Sequence, residues 1–247
     1  MEGKNSSRND RYHDVIIRLN SVRMLRSLKN FLKYNEMEKI FGIPKSILSR
    51  YISGSVLPSK DKAEIIYEQC ISKGLIKEII NKNNLNNNGV YNPSSIYLFS
   101  SLILNHCYNL DVNKVIVFFP NDIFLGFLVA LELNSQLVFA YNEKYFPSEK
   151  RIEYTYSLKL NKPFEYEIKN TIAILKNSLK KFDKVLITGL SLSRMVEYLA
   201  LVSLIKKLKF VEIAGIIIVF SENKKYVKEF QDRLNQIYPN IYFKIIL

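Results

Sequence analysis

The sequence predicts an all-α N-terminal module followed by a mostly parallel α/β domain, and three observations predict it. Up to residue 80 the apolar residues recur at helical spacings of three and four. Beyond residue 93, β-branched runs of strand length alternate with helical stretches, the pattern of a sheet covered on both faces. Between them residues 81–93, NKNNLNNNGVYNP, hold seven asparagines, one glycine and one proline with almost nothing to bury, which reads as a linker or exposed loop. The expected organisation is therefore residues 1–80, a linker at 81–93, and a second domain at 94–247.

Composition narrows the classes. Hydrophobic residues make up 48% of the 247 and charged residues 24%, so a sizeable core forms and wholesale disorder is excluded. No apolar run reaches the roughly 18 residues a spanning helix needs, and residues 1–11 are polar, unlike a secretory signal. Cys70 and Cys107 lie far apart, and there are two histidines, so neither a zinc site nor a disulfide framework is indicated. His13 and His106 read as solvated or core side chains. A cytoplasmic protein with reduced thiols, no metal and no cofactor is expected. The net charge is +13, and residues 1–88 hold 16 basic and 9 acidic residues against 20 and 14 in the rest. Such an excess favours polyanionic partners. It also suits a membrane surface or a phosphorylated small molecule, and an AT-rich genome would supply part of it.

The first helix, residues 14–33, sets Val15, Leu19, Val22, Leu25, Leu28 and Leu32 on one face and Arg18, Arg23, Arg26, Lys29 and Lys33 on the other. A short helix at 35–41 stops at Gly42, and Pro44 suits the first turn of the next. In that helix, 44–53, Ile47, Leu48, Tyr51 and Ile52 share a face. Lys45, Ser46, Ser49, Arg50 and Ser53 share the opposite one, which has no acid. Gly54 closes it, and Pro58 and Ser59 open another with Ala63, Ile66, Tyr67 and Cys70 on its apolar side. The string GIPKSILSRYISGSVLPS (residues 42–59) resembles the repressor-type helix-turn-helix of many archaeal and phage regulators. The resemblance puts Lys45, Ser46, Ser49 and Arg50 at the reading positions, with Ser53 on the same face. Arg50 suits a bidentate pair with guanine and Lys45 a phosphate. A helical bundle with a solvated basic face is the competing reading.

In the second domain, helices are expected at 94–106, 122–133, 168–181, 194–208 and 222–238. Strands are expected at 114–119, 136–141, 151–160, 184–188, 211–220 and 241–246, and Pro163 breaks the chain between 160 and 168. Ligands in such sheets sit at the carboxyl ends of strands, often against a helix N-terminus. That selects the loop Pro120-Asn121-Asp122 and the loop 188–194, with Asp122 open to reading as a helix cap. Tyr141, Tyr145, Phe146, Tyr154, Tyr156, Phe164 and Tyr166 form an aromatic stretch suited to base stacking, a dimer interface or a hairpin core.

Residues 183–220, DKVLITGLSLSRMVEYLALVSLIKKLKFVEIAGIIIVF, resemble the strand, loop, helix and strand around the phosphoribosyl-pyrophosphate loop of type I phosphoribosyltransferases. Residues 111–144 resemble that family's opening strand, pyrophosphate loop and second strand, and 145–163 fall where it keeps a flexible catalytic hairpin. The family's loop carries two adjacent acids that hold the ribose hydroxyls; here Gly189 and Leu190 stand in their place. The resemblance therefore implies no catalytic residues and no transferase activity. Thr188, Gly189, Ser191, Ser193 and Arg194 would form a degenerate phosphate loop; alternatively Ser191 or Ser193 caps the helix and Arg194 is solvated. The pairing of the two modules resembles archaeal regulators and, in broad design, bacterial purine repressors. It implies a transcription regulator specific for double-stranded DNA, homodimeric through its second domain, with a phosphorylated effector and no enzyme activity. An active salvage phosphoribosyltransferase with a divergent loop is the alternative, and a charge-driven RNA or membrane-surface binder is a third.

Overall fold

The computed structural model describes residues 3–72, 74–82, 92–107, 109–160, 166–221 and 223–247. Most of the expected linker, residues 83–91, and Pro163 lie outside them. Two compact units divide between residues 108 and 109.

The first unit is all helical: α1 (Gly3–Leu28), α2 (Tyr34–Phe41), α3 (Lys45–Ser53), α4 (Lys60–Ser72), α5 (Leu75–Lys82) and α6 (Pro93–Leu104). Met24, Leu25 and Leu28 of α1 meet Met37 and Phe41 of α2, Leu48 of α3, and Ala63, Ile66 and Cys70 of α4 in a dry core. Gly42 ends α2 in the left-handed conformation, φ 63°, which lets the chain turn back within Gly42-Ile43-Pro44. Pro44 is the extended residue just ahead of α3 rather than part of it. Helix α6, expected beyond the linker, packs instead along α1. Its apolar residues are buried almost all the way round, as befits a helix inside a bundle rather than on a sheet. Among the described residues no helix is long and apolar enough to cross a membrane.

The second unit holds β1 (Lys114–Phe118), α7 (Ile123–Glu132), β2 (Gln136–Asn142), β3 (Arg151–Leu160), β4 (Tyr166–Leu175), β5 (Lys184–Ser191), α8 (Met195–Lys207), β6 (Glu212–Phe220), α9 (Lys224–Ile237) and β7 (Phe243–Ile245). They build one seven-stranded sheet of order β3-β4-β2-β1-β5-β6-β7. Strands β2, β1, β5, β6 and β7 run parallel, while β4 pairs antiparallel with both β2 and β3. Every residue of β1 is buried, the signature of a central parallel strand. Ile116, Phe118, Ile187, Ile216 and Ile218 pack with Leu201, Ile205, Phe230 and Leu234 of α8 and α9.

Strand β4 corrects an expectation. Residues 168–181 read as a helix in the sequence. The segment instead pairs with β3 along its whole length, from Arg151 opposite Leu175 to Leu160 opposite Tyr166. Ile172, Ala173 and Ile174 are all buried, so the run is apolar on both faces. A short run of that kind has no period that separates strand from helix; β-branching and a waiting partner decide it.

A polar clasp closes the amino ends of the central strands. Lys114, 5% exposed, lies with Nζ 3.6 Å from Asp183 Oδ2 and donates to Gln136 Oε1. Asn113 Nδ2 donates to Asp183 Oδ1 at 3.2 Å, and Lys184 N donates to Asn113 Oδ1 at 2.9 Å. Each buried polar group thus has a partner, as burial demands.

On α7 the contact with the sheet runs through Gly126. A Cβ there would strike Val117 Cγ1 and lie 2.9 Å from Cγ2 of the same side chain. Alanine normally favours a helix over glycine by about 1 kcal/mol. Here Gly126→Ala is expected to destabilise by roughly 1–3 kcal/mol through overpacking, measured as a fall in the urea midpoint; a gain would show that α7 lifts off at no cost.

Candidate functional site

The carboxyl end of β5 and the start of α8 form the centre of the site. Strand β5 ends at Ser191 and the chain passes through a single 3₁₀ turn, Leu192–Arg194, before α8. Ser191 Oγ accepts from Ser193 N at 3.1 Å, so Ser191 caps that turn. Helix α8 itself begins behind Arg194 without a side-chain cap. Arg194 is partly exposed and its Nε sits 3.7 Å from Glu197 Oε2.

Beside this turn opens a cleft of 920 Å³. Ser193 and Arg194 line it from α8's leading turn, Glu197 from α8, and Asn142, Glu143 and Lys144 from the end of β2. Tyr156, Asn170 and Thr171 of the β3–β4 hairpin and Tyr226 and Glu229 of α9 complete the walls. Thr155 Oγ1 and Thr171 Oγ1, 3.1 Å apart, tie the hairpin across its strands. Tyr156 is flanked by Glu197 and Glu143; burial, then these two carboxylates, push its phenol up to about 12. Glu197 is itself raised by burial, with Arg194 opposing. The cleft therefore pairs cations that suit a phosphate with carboxylates that suit sugar hydroxyls.

Thr188 and Gly189 stand apart from the cleft. Thr188 is fully buried and its Oγ1 donates to Ile217 O at 2.8 Å, a link inside the sheet. Gly189 has no room for a side chain: a Cβ would fall on the Tyr198 hydroxyl and 3.1 Å from Asp122 Oδ2. The Tyr198 ring is completely buried, edge-on to Phe118 at 5.1 Å, and among the described residues its hydroxyl finds no hydrogen-bond partner. Asp122, 5% exposed, does not cap α7 with its side chain. Its Oδ1 accepts instead from Leu190 N at 3.2 Å. Burial raises this carboxyl to about 6; Arg194 and the Leu190 amide pull it down, and Glu197 pushes it up.

Sequence reasoning located the turn at 191–194 and the neighbourhood of Asp122, and it marked Tyr156 only as part of an aromatic stretch. It missed Glu143, Lys144, Asn170, Thr171, Glu197, Tyr226 and Glu229. These arrive from four separate elements, and no local spacing joins them. Cys70 and Cys107 are free, buried thiols raised far above their ordinary range by burial.

In the helical unit, Lys45, Ser46, Ser49, Arg50 and Ser53 are all exposed on α3, opposite the buried Leu48. Lys45 pairs with Glu38 of α2, Nζ to Oε2 at 3.7 Å, and Lys45 N donates to Glu38 Oε1 at 3.3 Å. Ser53 Oγ donates to Arg50 O at 3.0 Å. Two arginines of α1 hold the helix in place: Arg26 Nε donates to Ile52 O at 2.6 Å and Arg18 Nε to Pro58 O at 2.7 Å.

No family model and no curated protein matches the sequence. The fold does match solved structures, which cover the C-terminal part of the chain, the α/β domain included. Adenine phosphoribosyltransferase from Saccharomyces cerevisiae, solved with an imino-altritol bisphosphate and adenine, is 16% identical with a TM-score of 0.50. The match covers 63% of this chain and 81% of that one. The Rhodothermus marinus enzyme is 18% identical at a TM-score of 0.50, covering 64% and 81%. The Trypanosoma brucei enzyme, in complex with AMP, pyrophosphate and ribose-5-phosphate, is 17% identical at 0.51, covering 64% and 65%. At these identities the likeness is one of fold: the α/β unit has the phosphoribosyltransferase fold. It also corrects an expectation. The absence of enzyme activity was inferred from the two missing acids, yet the proteins sharing this fold are enzymes, and that inference does not stand.

Two outcomes follow from Asp122 and Tyr198. Because the folded carboxyl titrates near 6 and an unfolded one near 3.9, the native state binds the extra proton between those values. Stability is therefore lost as pH rises from about 4 to 6. Asp122→Asn keeps an acceptor for Leu190 N and removes the charge. It is expected to be more stable than the parent at pH 7, by up to the order of 3 kcal/mol, with the gain gone at pH 4. Denaturant melts at both pH values check it, and a pH-independent difference would refute the assignment. Tyr198→Phe deletes a hydroxyl without a partner and is expected to be neutral or stabilising by up to roughly 1–3 kcal/mol. A marked drop in melting temperature would show that the hydroxyl is bonded.

Proposed function

We propose that the α/β unit is a phosphoribosyl-transfer site in which carboxylates on the cleft walls replace the acids absent from the loop. The observation that carries this reading is the grouping of Ser193 and Arg194 at the start of α8 with Glu197 and Glu143 around Tyr156 in one cleft. Hydroxyl, guanidinium and the leading amides of a helix suit a 5′-phosphate. A carboxylate pair suits two ribose hydroxyls, holding the sugar so that its anomeric carbon meets a base. Position 189 cannot supply such a carboxylate, since Tyr198 fills the space. Support for the ligand class comes from the fold, which in the Trypanosoma brucei enzyme holds AMP, pyrophosphate and ribose-5-phosphate.

A second reading rests on a separate observation, the exposed Lys45, Ser46, Ser49, Arg50 and Ser53 of α3 behind the Gly42 turn. This is the arrangement of a helix that enters a major groove, and we propose that the helical unit binds duplex DNA through it. A palindromic site would engage two copies of the chain. The phosphoribosyl ligand would then serve as effector as well as substrate.

The full chain, given phosphoribosyl pyrophosphate and adenine, is expected to release pyrophosphate and form AMP. Arg194→Ala is expected to raise KM for the ribosyl donor about tenfold, and Glu197→Gln to lower kcat by about 10²-fold or more. Donor binding by calorimetry without turnover of any nucleobase would reduce the site to a sensor; no binding at all would reject it. For α3, duplexes selected from a random pool at about physiological salt are expected to share a motif. Arg50→Ala should cost about 1–3 kcal/mol and relax one position of it, whereas recovery of no motif would reject the second reading.

A further inference from the structure

We propose that a groove between α1 and α6 seats a backbone phosphate of the DNA that α3 reads, an inference that rests on the duplex-binding reading above. The groove, 320 Å³, is lined by Arg23, Arg26, Asn30, Ser94 and Tyr97, and among the described residues no carboxylate lines it. Two guanidiniums, a serine hydroxyl and an exposed phenol form a donor set for a singly charged phosphodiester oxygen pair.

Three contacts fix this set in place. Arg23 Nη1 donates to the buried Asn20 Oδ1 at 3.2 Å. Asn30 Nδ2 donates to Ser94 Oγ at 2.9 Å, joining α1 to the first turn of α6. Arg26 belongs both to the groove and to α3: its Nε holds Ile52 O, and its Nη2 is 2.9 Å from where a Cβ on Gly54 would stand. The groove is thus continuous with the C-terminal end of the reading helix. A duplex lying along the exposed face of α3 would carry its phosphates past that end, where the Arg23 and Arg26 guanidiniums line the groove.

This geometry separates the two roles. Arg50 discriminates bases, while Arg23 and Arg26 hold the backbone whatever the sequence. The experiment is a salt titration of binding by the full chain, with the selected duplex and a scrambled one, for the parent, Arg23→Gln, Ser94→Asp and Arg50→Ala. Glutamine at 23 keeps a donor for Asn20, and Ser94→Asp keeps an acceptor for Asn30 Nδ2 at the half-buried start of α6; melting curves identify the folded variants. Arg23→Gln is expected to weaken both duplexes by the same factor, about tenfold, and to lower the slope of log K against log salt by about one. Ser94→Asp is expected to weaken both further by placing a negative charge in the groove. Arg50→Ala should leave that slope nearly unchanged and lose discrimination. If either folded groove variant binds both duplexes as the parent does while Arg50→Ala loses discrimination, the groove is rejected and the α3 reading stands. Failure of the parent to bind any duplex rejects both. Equal or tighter binding to duplex RNA of the selected sequence assigns the groove to another polymer and overturns the proposal.

Discussion

A carboxylate shut away from water sets the shape of the α/β site. Asp122 stands in the loop after β1 and accepts from Leu190 N at the end of β5, so the loops that follow these two strands are tied to one another. Burying a carboxylate is costly, and a single amide bond with the charge of Arg194 offsets only part of it. The Tyr198 ring completes the packing by laying its hydroxyl against Gly189. These three residues explain why the loop lacks acids: a carboxylate at 189 would meet both an aromatic hydroxyl and another carboxylate. One turn further on, Ser193 and Arg194 face the cleft.

Much of the architecture was legible in the sequence because it rests on short-range signals. The central strands announce themselves as β-branched runs, and Gly42 and Gly54 mark helix ends by the left-handed conformation that they adopt. Strand β4 was not legible, since Ile172, Ala173 and Ile174 are buried without alternation and pairing with β2 and β3 decides their state. The place of α6 was hidden for a similar reason. A helix apolar on every side fits a bundle or a sheet cover equally well, and its partner α1 is some seventy residues away in the chain. The site was half legible. The turn at 191–194 follows from strand-then-helix order, whereas Glu143, Tyr156 and Glu229 come together only through the crossing order of the sheet.

The basic residues of α1 show how charge misleads. As a sequence, Arg18, Arg23, Arg26, Lys29 and Lys33 form one solvated stripe. In the folded unit Arg18 and Arg26 use their Nε atoms to hold the carbonyls of Pro58 and Ile52. They fasten both ends of the loop that follows α3, satisfying acceptors that a helix end leaves unpaired. Part of the positive charge is therefore structural, and net charge overstates what remains for partners.

The clasp around Lys114 fastens one end of the sheet. Lys114, Gln136, Asn113, Asp183 and Lys184 bind the starts of β1, β2 and β5 into one knot. Removing one partner would leave a buried charge, at roughly 3–5 kcal/mol. The cleft lies at the far ends of the same strands, beyond the last of the knot's bonds. The far ends carry a separate tie, Asp122 Oδ1 to Leu190 N, so β1 and β5 are fastened to each other at both ends, whereas the clasp reaches β2 only at its start.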